Sequence, residues 1–261
     1  MAFLIFWQIR LSGMDWERFA TANKIAKIFA RIILEDAAII ALKIRPINFA
    51  IVYLKNKMKI NLNKFLIACG FIGPAIFFFT IYFLFPFLYS GYDIANQTIS
   101  ELGGLNSPIK TLASVFGFSL FGIFIMLFAF GLFRLKEINL LGKTAALFIF
   151  ATGILMYLTG IFNDASGLYS KMGTFHETVS NYQFPVLAIG LVLFAFSVAE
   201  NKKLRWLTPV ILVLGLVTLS LAYVLFFTHD LQNRGIWQRA AIGLPYLIVV
   251  IIATTIYKNL K

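Results

Sequence analysis

The stretch FLIACGFIGPAIFFFTIYFLFPFL, Phe65–Leu88, contains no charged side chain. An α-helix needs roughly 20 apolar residues to cross the hydrocarbon core of a bilayer, and this run is long enough. A helix is required because lipid cannot satisfy the hydrogen bonds of an open backbone. The stretch therefore predicts a membrane-spanning helix.

Five more apolar segments follow the first one, and the composition agrees with them. Hydrophobic residues make up 60% of the 261 residues and charged residues 13%, which is outside the range of soluble proteins. Thr174 and Glu177 have the spacing of a capping box and extend the fourth segment back to His176. The fold class is predicted to be all-α, a polytopic six-helix transmembrane bundle over residues 58–261. The six predicted spans are Phe65–Leu88, Thr111–Phe133, Thr144–Phe162, His176–Ala199, Trp206–Thr228 and Ala240–Tyr257.

Residues 1–57 differ from the rest, with nine Lys or Arg and four acidic residues. Apolar residues recur there at helical spacing, as in Ile25, Ile28 and Ile32. Two interpretations remain open for this basic amphipathic N-terminal extension. It lies on the inner membrane surface, or it is an upstream extension without functional weight and Met58 is the natural start.

The loop charges predict the orientation. From residue 58 onward, one set of helix ends carries ten Lys or Arg and the other set carries four. Cytoplasmic loops are enriched in Lys and Arg, so both termini are expected inside, in the cytoplasmic membrane of a prokaryote. The net charge of +12 is assigned to topology and to membrane lipids as partners, and nucleic acid is not expected as a partner.

The segment NDASGLYSKMGTFHETVSNY, Asn163–Tyr182, holds the densest set of proton-carrying side chains. His176 and Ser180 are four residues apart and share a helix face. A Ser beside a His is the basis of an activated nucleophile, and Asp164 could orient the His. The alternative is that His176 and Asp164 form an interhelical hydrogen bond that only fixes packing.

The first external loop, residues 89–110, has a second capping-box pattern, Thr98 with Glu101, which predicts a short helix over Ile99–Leu102. Ser107 and Pro108 are interpreted as the cap and first residue of the next helix. This pattern is either turn chemistry alone or a loop in which Ser100 and Glu101 line a site.

Arg234 and Arg239, before the sixth span, are candidates for holding a phosphate or carboxylate. The alternatives for Arg239 are pairing with Asp164 or Glu101, or anchoring its helix at the headgroups. The two histidines, His176 and His229, are weak metal candidates. One cysteine and two histidines predict no metal and no cofactor.

Short motifs together resemble a prokaryotic membrane family called domain of unknown function 998, over about residues 62–258. They are SELG followed by Ser-Pro, an Asp after the third span, a His opening the fourth, and a Gly, two residues, then Gln-Arg. The resemblance implies a six-helix membrane protein with no assigned reaction. The family often has an acid where this chain has Gln238. The matching positions are Ser100, Glu101, Leu102, Gly103, Asp164, His176, Gly235 and Arg239.

Two functions from different classes follow from these residues. The first is non-enzymatic: an outward-facing polar cluster packs the helices and binds a small polar ligand or a lipid headgroup, in a structural, sensing or transport role. The second is a hydrolase or transferase acting on lipid at the outer leaflet. Its base would be His176, its nucleophile Ser180 or Ser100, its orienting acid Asp164, and Arg239 would hold phosphate.

Overall fold

A computed structural model describes residues 61–162, 171–227 and 232–260. These residues form six long apolar helices and one short helix, with no strand among them. The predicted all-α, six-helix fold is thereby confirmed. The predicted N-terminal extension lies outside the described residues, so its boundary stays a prediction. The helices are α1 (Leu62–Leu88), α2 (Ile99–Leu102), α3 (Lys110–Arg134), α4 (Leu140–Ile161), α5 (Lys171–Val198), α6 (Leu207–Phe227) and α7 (Arg234–Asn259).

Two predicted helix starts are wrong. Helix α5 already includes Lys171, so Thr174 lies inside the helix and does not cap it. Helix α3 begins at Lys110, directly after Ile109. Ser107 precedes the helix in a turn, and its hydroxyl oxygen accepts the Ile109 N–H at 3.3 Å. In both cases the residue types of a cap are present in the sequence, but the helix begins at another position.

The spanning helices form a ring in chain order. Each one packs against its chain neighbours, and α7 packs back against α1. Aromatic side chains fill the middle: Phe77 stacks on Phe121 with ring centroids 4.3 Å apart, and Tyr246 meets Phe121 edge-on at 4.6 Å. The ring therefore has a packed core.

Two glycines allow close contacts between neighbouring helices. A Cβ on Gly122 of α3 would lie 2.6 Å from the Gly153 carbonyl oxygen of α4. A Cβ on Gly117, in a π-helical stretch of α3, would lie 2.6 Å from the Ile81 side chain of α1. Small residues allow such contacts where lipid provides no hydrophobic driving force between helices.

One end of the ring carries the long connection that contains α2, and we call it the α2 end. The C-terminal ends of α1, α4 and α6 and the N-terminal ends of α3, α5 and α7 meet there. The candidate site lies at this end.

Candidate functional site at the α2 end

Arg239 joins the first turns of α7 to the connection between α1 and α3. Its side chain is buried, with 6% of its surface exposed. One terminal nitrogen, Nη1, donates to the carbonyl oxygens of Ile94, Gln97 and Gly235 at 2.9 to 3.0 Å. The other, Nη2, donates to the Tyr92 hydroxyl at 2.7 Å. The guanidinium thus binds the loop backbone, which is a use of its planar set of donors.

Two tyrosines complete this contact. The Tyr92 hydroxyl donates to the Thr98 carbonyl oxygen at 2.7 Å, and the Arg239 guanidinium lies 5.6 Å from the Tyr92 ring centroid. Burial raises the pKa of the Tyr92 hydroxyl above its usual value, although the nearby Arg239 charge opposes the rise. Tyr82 of α1 donates to the Arg239 carbonyl oxygen at 2.6 Å. Tyr92 therefore helps to hold α7 to the α1–α3 connection, and Tyr82 holds α7 to α1.

Gly235 and Gln238 hold the same loop from α7. A Cβ on Gly235 would lie 2.5 Å from the Ile94 carbonyl oxygen and 2.9 Å from that of Ala95. Only glycine allows this approach, because no Cβ tolerates such distances. The Gln238 side-chain oxygen accepts the Ile99 N–H, at the start of α2, at 2.6 Å. The short sequence from Gly235 to Arg239 is thus a docking surface for the loop.

Within the loop, two acidic side chains satisfy backbone N–H groups. Glu101 accepts from the Thr98 N–H and from the Thr98 hydroxyl, both at 2.9 Å, which confirms the predicted short helix. Asp93 accepts from the Ala95 N–H at 2.9 Å and from the Asn96 side chain at 2.7 Å. The Asn96 amide hydrogen bond, with the backbone bonds, lowers the pKa of Asp93 below its usual value.

His176 lies apart from this junction, near the start of α5. Its Nδ1 contacts the Phe162 carbonyl oxygen at 2.5 Å, at the end of α4. Its Nε2 is buried and has no hydrogen-bond partner among the described residues. Ser180 lies 3.4 Å from the Thr159 hydroxyl instead. The Ser–His hydrogen bond of an activated nucleophile is therefore not formed in the described part of the chain.

A small chamber lies beneath α2, enclosed by side chains from every helix except α1. Its volume is about 40 Å³, and a buried water needs at least about 10–15 Å³ measured in this way. No described residue on its wall is charged. The polar residues on the wall are Ser100, Thr159, Ser180, Asn181, Gln183 and Gln238.

A family model described as Protein of unknown function (DUF998) matches residues 71–255, most of the chain. The chain belongs to this family. The resemblance seen in the short motifs is thereby confirmed. Neither the curated proteins nor the solved structures give a match.

In this DUF998 member, the positions that carried the resemblance lie in several places. Gly235 and Arg239 belong to the contact between the loop and α7. Glu101 binds Thr98 within the loop, and Ser100 borders the chamber. His176 belongs to the contact between α4 and α5. The other predicted partner of His176, Asp164, lies outside the described residues.

Two further predicted candidates of this DUF998 protein are Arg234 and His229. Arg234 opens α7 and is exposed. His229 lies outside the described residues. Within residues 61–162, 171–227 and 232–260, no three His, Cys, Asp or Glu side chains gather as metal ligands would.

Sequence reasoning missed several residues of this site. Tyr92 and Gln97 carry no motif, and their roles depend on α7, which is more than 140 positions away. Gln183 did have a signal. A polar side chain inside a spanning helix is costly in lipid and marks a buried or functional position, and Gln183 shares a helix face with Ser180.

Proposed function

We propose that this protein is a non-catalytic binding protein of a prokaryotic cytoplasmic membrane. Its chamber at the α2 end binds the headgroup of an outer-leaflet lipid or a small uncharged polar ligand. The observation that carries the proposal is the chamber wall, which combines three hydroxyl and three amide side chains with no charge. Such a wall offers hydrogen bonds to an uncharged group, whereas an anion or cation would be buried there without a counter-charge.

Loop charge supports the orientation of the proposal. Ten Lys or Arg lie at the ends opposite α2 or beyond them, against four at the α2 end. This bias supports an orientation with the α2 end outside and both termini in the cytoplasm. The chamber then faces the outer leaflet.

The size of the chamber sets a condition on binding. About 40 Å³ holds a few water molecules, which is less than the space that a ligand pocket normally offers. Helix α6 contributes Leu225 to the wall and is the least enclosed of the spanning helices. A lipid headgroup would enter the chamber from the bilayer, and α6 would move outward to admit it.

The lipid-hydrolase alternative has less support. Nucleophilic catalysis requires a base within hydrogen-bond reach of the nucleophile. The Nδ1 of His176 contacts the Phe162 carbonyl oxygen, and the nitrogen that remains as a base, Nε2, has no hydrogen-bond partner among the described residues. Arg239, the candidate phosphate ligand, is already bound to four oxygens of the loop and of its own helix. The geometry favours binding over catalysis.

The proposal is tested with purified protein in detergent. The probes are diacylglycerol, phosphatidylethanolamine and phosphatidylglycerol of equal acyl chains, each added separately. The readout is the temperature of unfolding, followed by thiol labelling of Cys69, the single cysteine, which is buried. A ligand that binds only the folded state stabilises that state. Uncharged diacylglycerol should therefore raise the unfolding temperature more than the other two lipids.

Two matched variants locate the effect. Ser180→Val removes a hydroxyl from the chamber wall and should abolish the rise. Thr178→Val removes a hydroxyl from the same helix at an exposed position, where it donates only to the Thr174 carbonyl oxygen, and should leave the rise intact. An equal rise in both variants, or a preference for the anionic lipid, would refute binding in the chamber.

A further inference from the structure

Two buried polar atoms in the middle of the bundle have no hydrogen-bond partner among the described residues. They are the Gln183 side-chain oxygen on α5 and the Tyr246 hydroxyl on α7. Gln183 is 5% exposed and Tyr246 is 2% exposed. Leaving such groups unpaired in an apolar interior is costly, and most buried polar groups in proteins have a partner, either protein or water.

Both residues border the same cavity. It lies between α5, α6 and α7 and has a volume of about 20 Å³. This volume suits one water molecule, which needs about 10–15 Å³ and at least two polar partners. The remaining polar residue on its wall, Thr218 of α6, donates to the Leu214 carbonyl oxygen of its own helix.

We propose that this cavity is a water-binding site, in which one water bridges the Gln183 side-chain oxygen and the Tyr246 hydroxyl. The water donates to the Gln183 oxygen, which can only accept, and exchanges a second hydrogen bond with the Tyr246 hydroxyl. This site is distinct from the chamber beneath α2, and the inference does not depend on ligand binding there.

Gln183 borders both cavities, so the proposed water site lies next to the chamber. Gln183 and Tyr246 lie near the midpoints of α5 and α7. Beyond them the core is apolar, with Leu191, Phe194 and Ile252 almost fully buried. The proposed water therefore lies at the inner end of the polar residues that begin at the α2 end, and apolar side chains follow it toward the opposite end of the bundle.

Radiolytic hydroxyl-radical footprinting of the intact protein tests this site, because radicals formed from a bound water label the side chains beside it. Tyr246 should be labelled despite its burial. Phe121 is the internal control: it packs edge-on against Tyr246 at 4.6 Å, is 1% exposed and borders neither cavity. It should stay unlabelled.

The Gln183→Leu variant should lower Tyr246 labelling several-fold, because the water loses its acceptor. The control Gln232→Leu makes the same chemical change at an exposed position that borders neither cavity, and it should leave Tyr246 labelling unchanged. Equal protection of Tyr246 and Phe121 in the unmodified protein would overturn the proposal, as would labelling of Tyr246 that Gln183→Leu does not reduce.

The Tyr246→Phe variant gives a second, independent test through the direction in which its unfolding temperature changes. If the hydroxyl is bridged by water, its removal breaks a hydrogen bond and lowers the unfolding temperature. If the hydroxyl is unpaired, its removal relieves a burial cost and raises that temperature, and this result would count against the water site.

Discussion

At the scale of single residues, Arg239 is a buried cation whose described partners are dipoles. Carbonyl oxygens of the loop and the Tyr92 hydroxyl surround its terminal nitrogens, and the nearby aromatic ring adds a cation–π contact. Hydrogen bonds to a charged donor are stronger than neutral ones. Arg239 is therefore expected to contribute to stability more than any exposed cation of this chain.

Replacing Arg239 tests this role. We expect Arg239→Ala to reduce the free energy of unfolding by about 3 kcal/mol, since several buried carbonyl oxygens lose their donor. Arg239→Lys should recover only part of this loss, because an ammonium group cannot reproduce the planar fork. The measurement is the temperature-dependent labelling of Cys69.

Arg234→Ala is the matched control, because Arg234 is an exposed arginine near the start of the same helix. Its effect should be close to zero. Full stability of Arg239→Lys would contradict the role assigned to the planar guanidinium, which donates through both Nη1 and Nη2.

Gly235 is the second residue whose identity the structure explains. An added Cβ would lie within 3.0 Å of backbone oxygens of the loop, and backbone moves less easily than a side chain. We expect Gly235→Ala to cost about 1–3 kcal/mol of stability, as overpacking does. Limited proteolysis should detect faster cleavage between residues 89 and 109.

Gly215→Ala provides the comparison for Gly235→Ala. A Cβ there would meet no heavy atom within 4 Å, and alanine favours helix over glycine. Its unfolding temperature should be unchanged or higher. If both alanine variants behaved alike, the close approach at Gly235 would not constrain the loop.

At the scale of elements, the loop before α2 should respond to acid. The pKa of Asp93 is lowered in the folded state, chiefly by the Asn96 side chain. Its stabilising effect is therefore fully present above the usual aspartate value of about 3.9 and is lost as the pH falls through the lowered value. We expect the protection of the Ala95 and Asn96 amides against hydrogen exchange, corrected for intrinsic rates, to fall in that range.

Asp93→Asn is the control for the acid response, because its amide oxygen still accepts hydrogen bonds but does not titrate. Protection in this variant should be independent of pH between about 3 and 5, below and above the usual aspartate value. A fall in protection equal to that of the unmodified protein would assign the acid response to another group.

The elements also show what the sequence can and cannot predict. The six spans were predictable because lipid imposes one length and one composition on every spanning helix. The α2 helix was predictable because Thr98 and Glu101 interact locally. The same pattern at Thr174 gave a wrong prediction of a helix start, because α5 begins at Lys171 and continues through Thr174. The role of Arg239 was not predictable, because its loop partners lie 142 to 147 positions away and depend on the closing of the helix ring.

At the scale of the whole molecule, the closed ring gives the two ends different properties. The α2 end holds the loop, the chamber and most of the buried polar contacts, whereas the opposite end has short connections rich in Lys and Arg. The chamber and the Lys- and Arg-rich connections thus lie at opposite ends. The orientation of the protein therefore determines which side of the membrane the chamber faces.

The orientation can be measured with introduced cysteines in intact cells. Asn106 at the α2 end and Glu137 at the opposite end are both exposed, while the native Cys69 is buried and should give little background. A membrane-impermeant maleimide should label Asn106→Cys in intact cells and Glu137→Cys only after lysis, because the end richer in Lys and Arg stays in the cytoplasm. The reverse pattern would place the chamber inside and exclude an outer-leaflet lipid as its ligand, whereas the contacts of Arg239 and the water site would be unaffected.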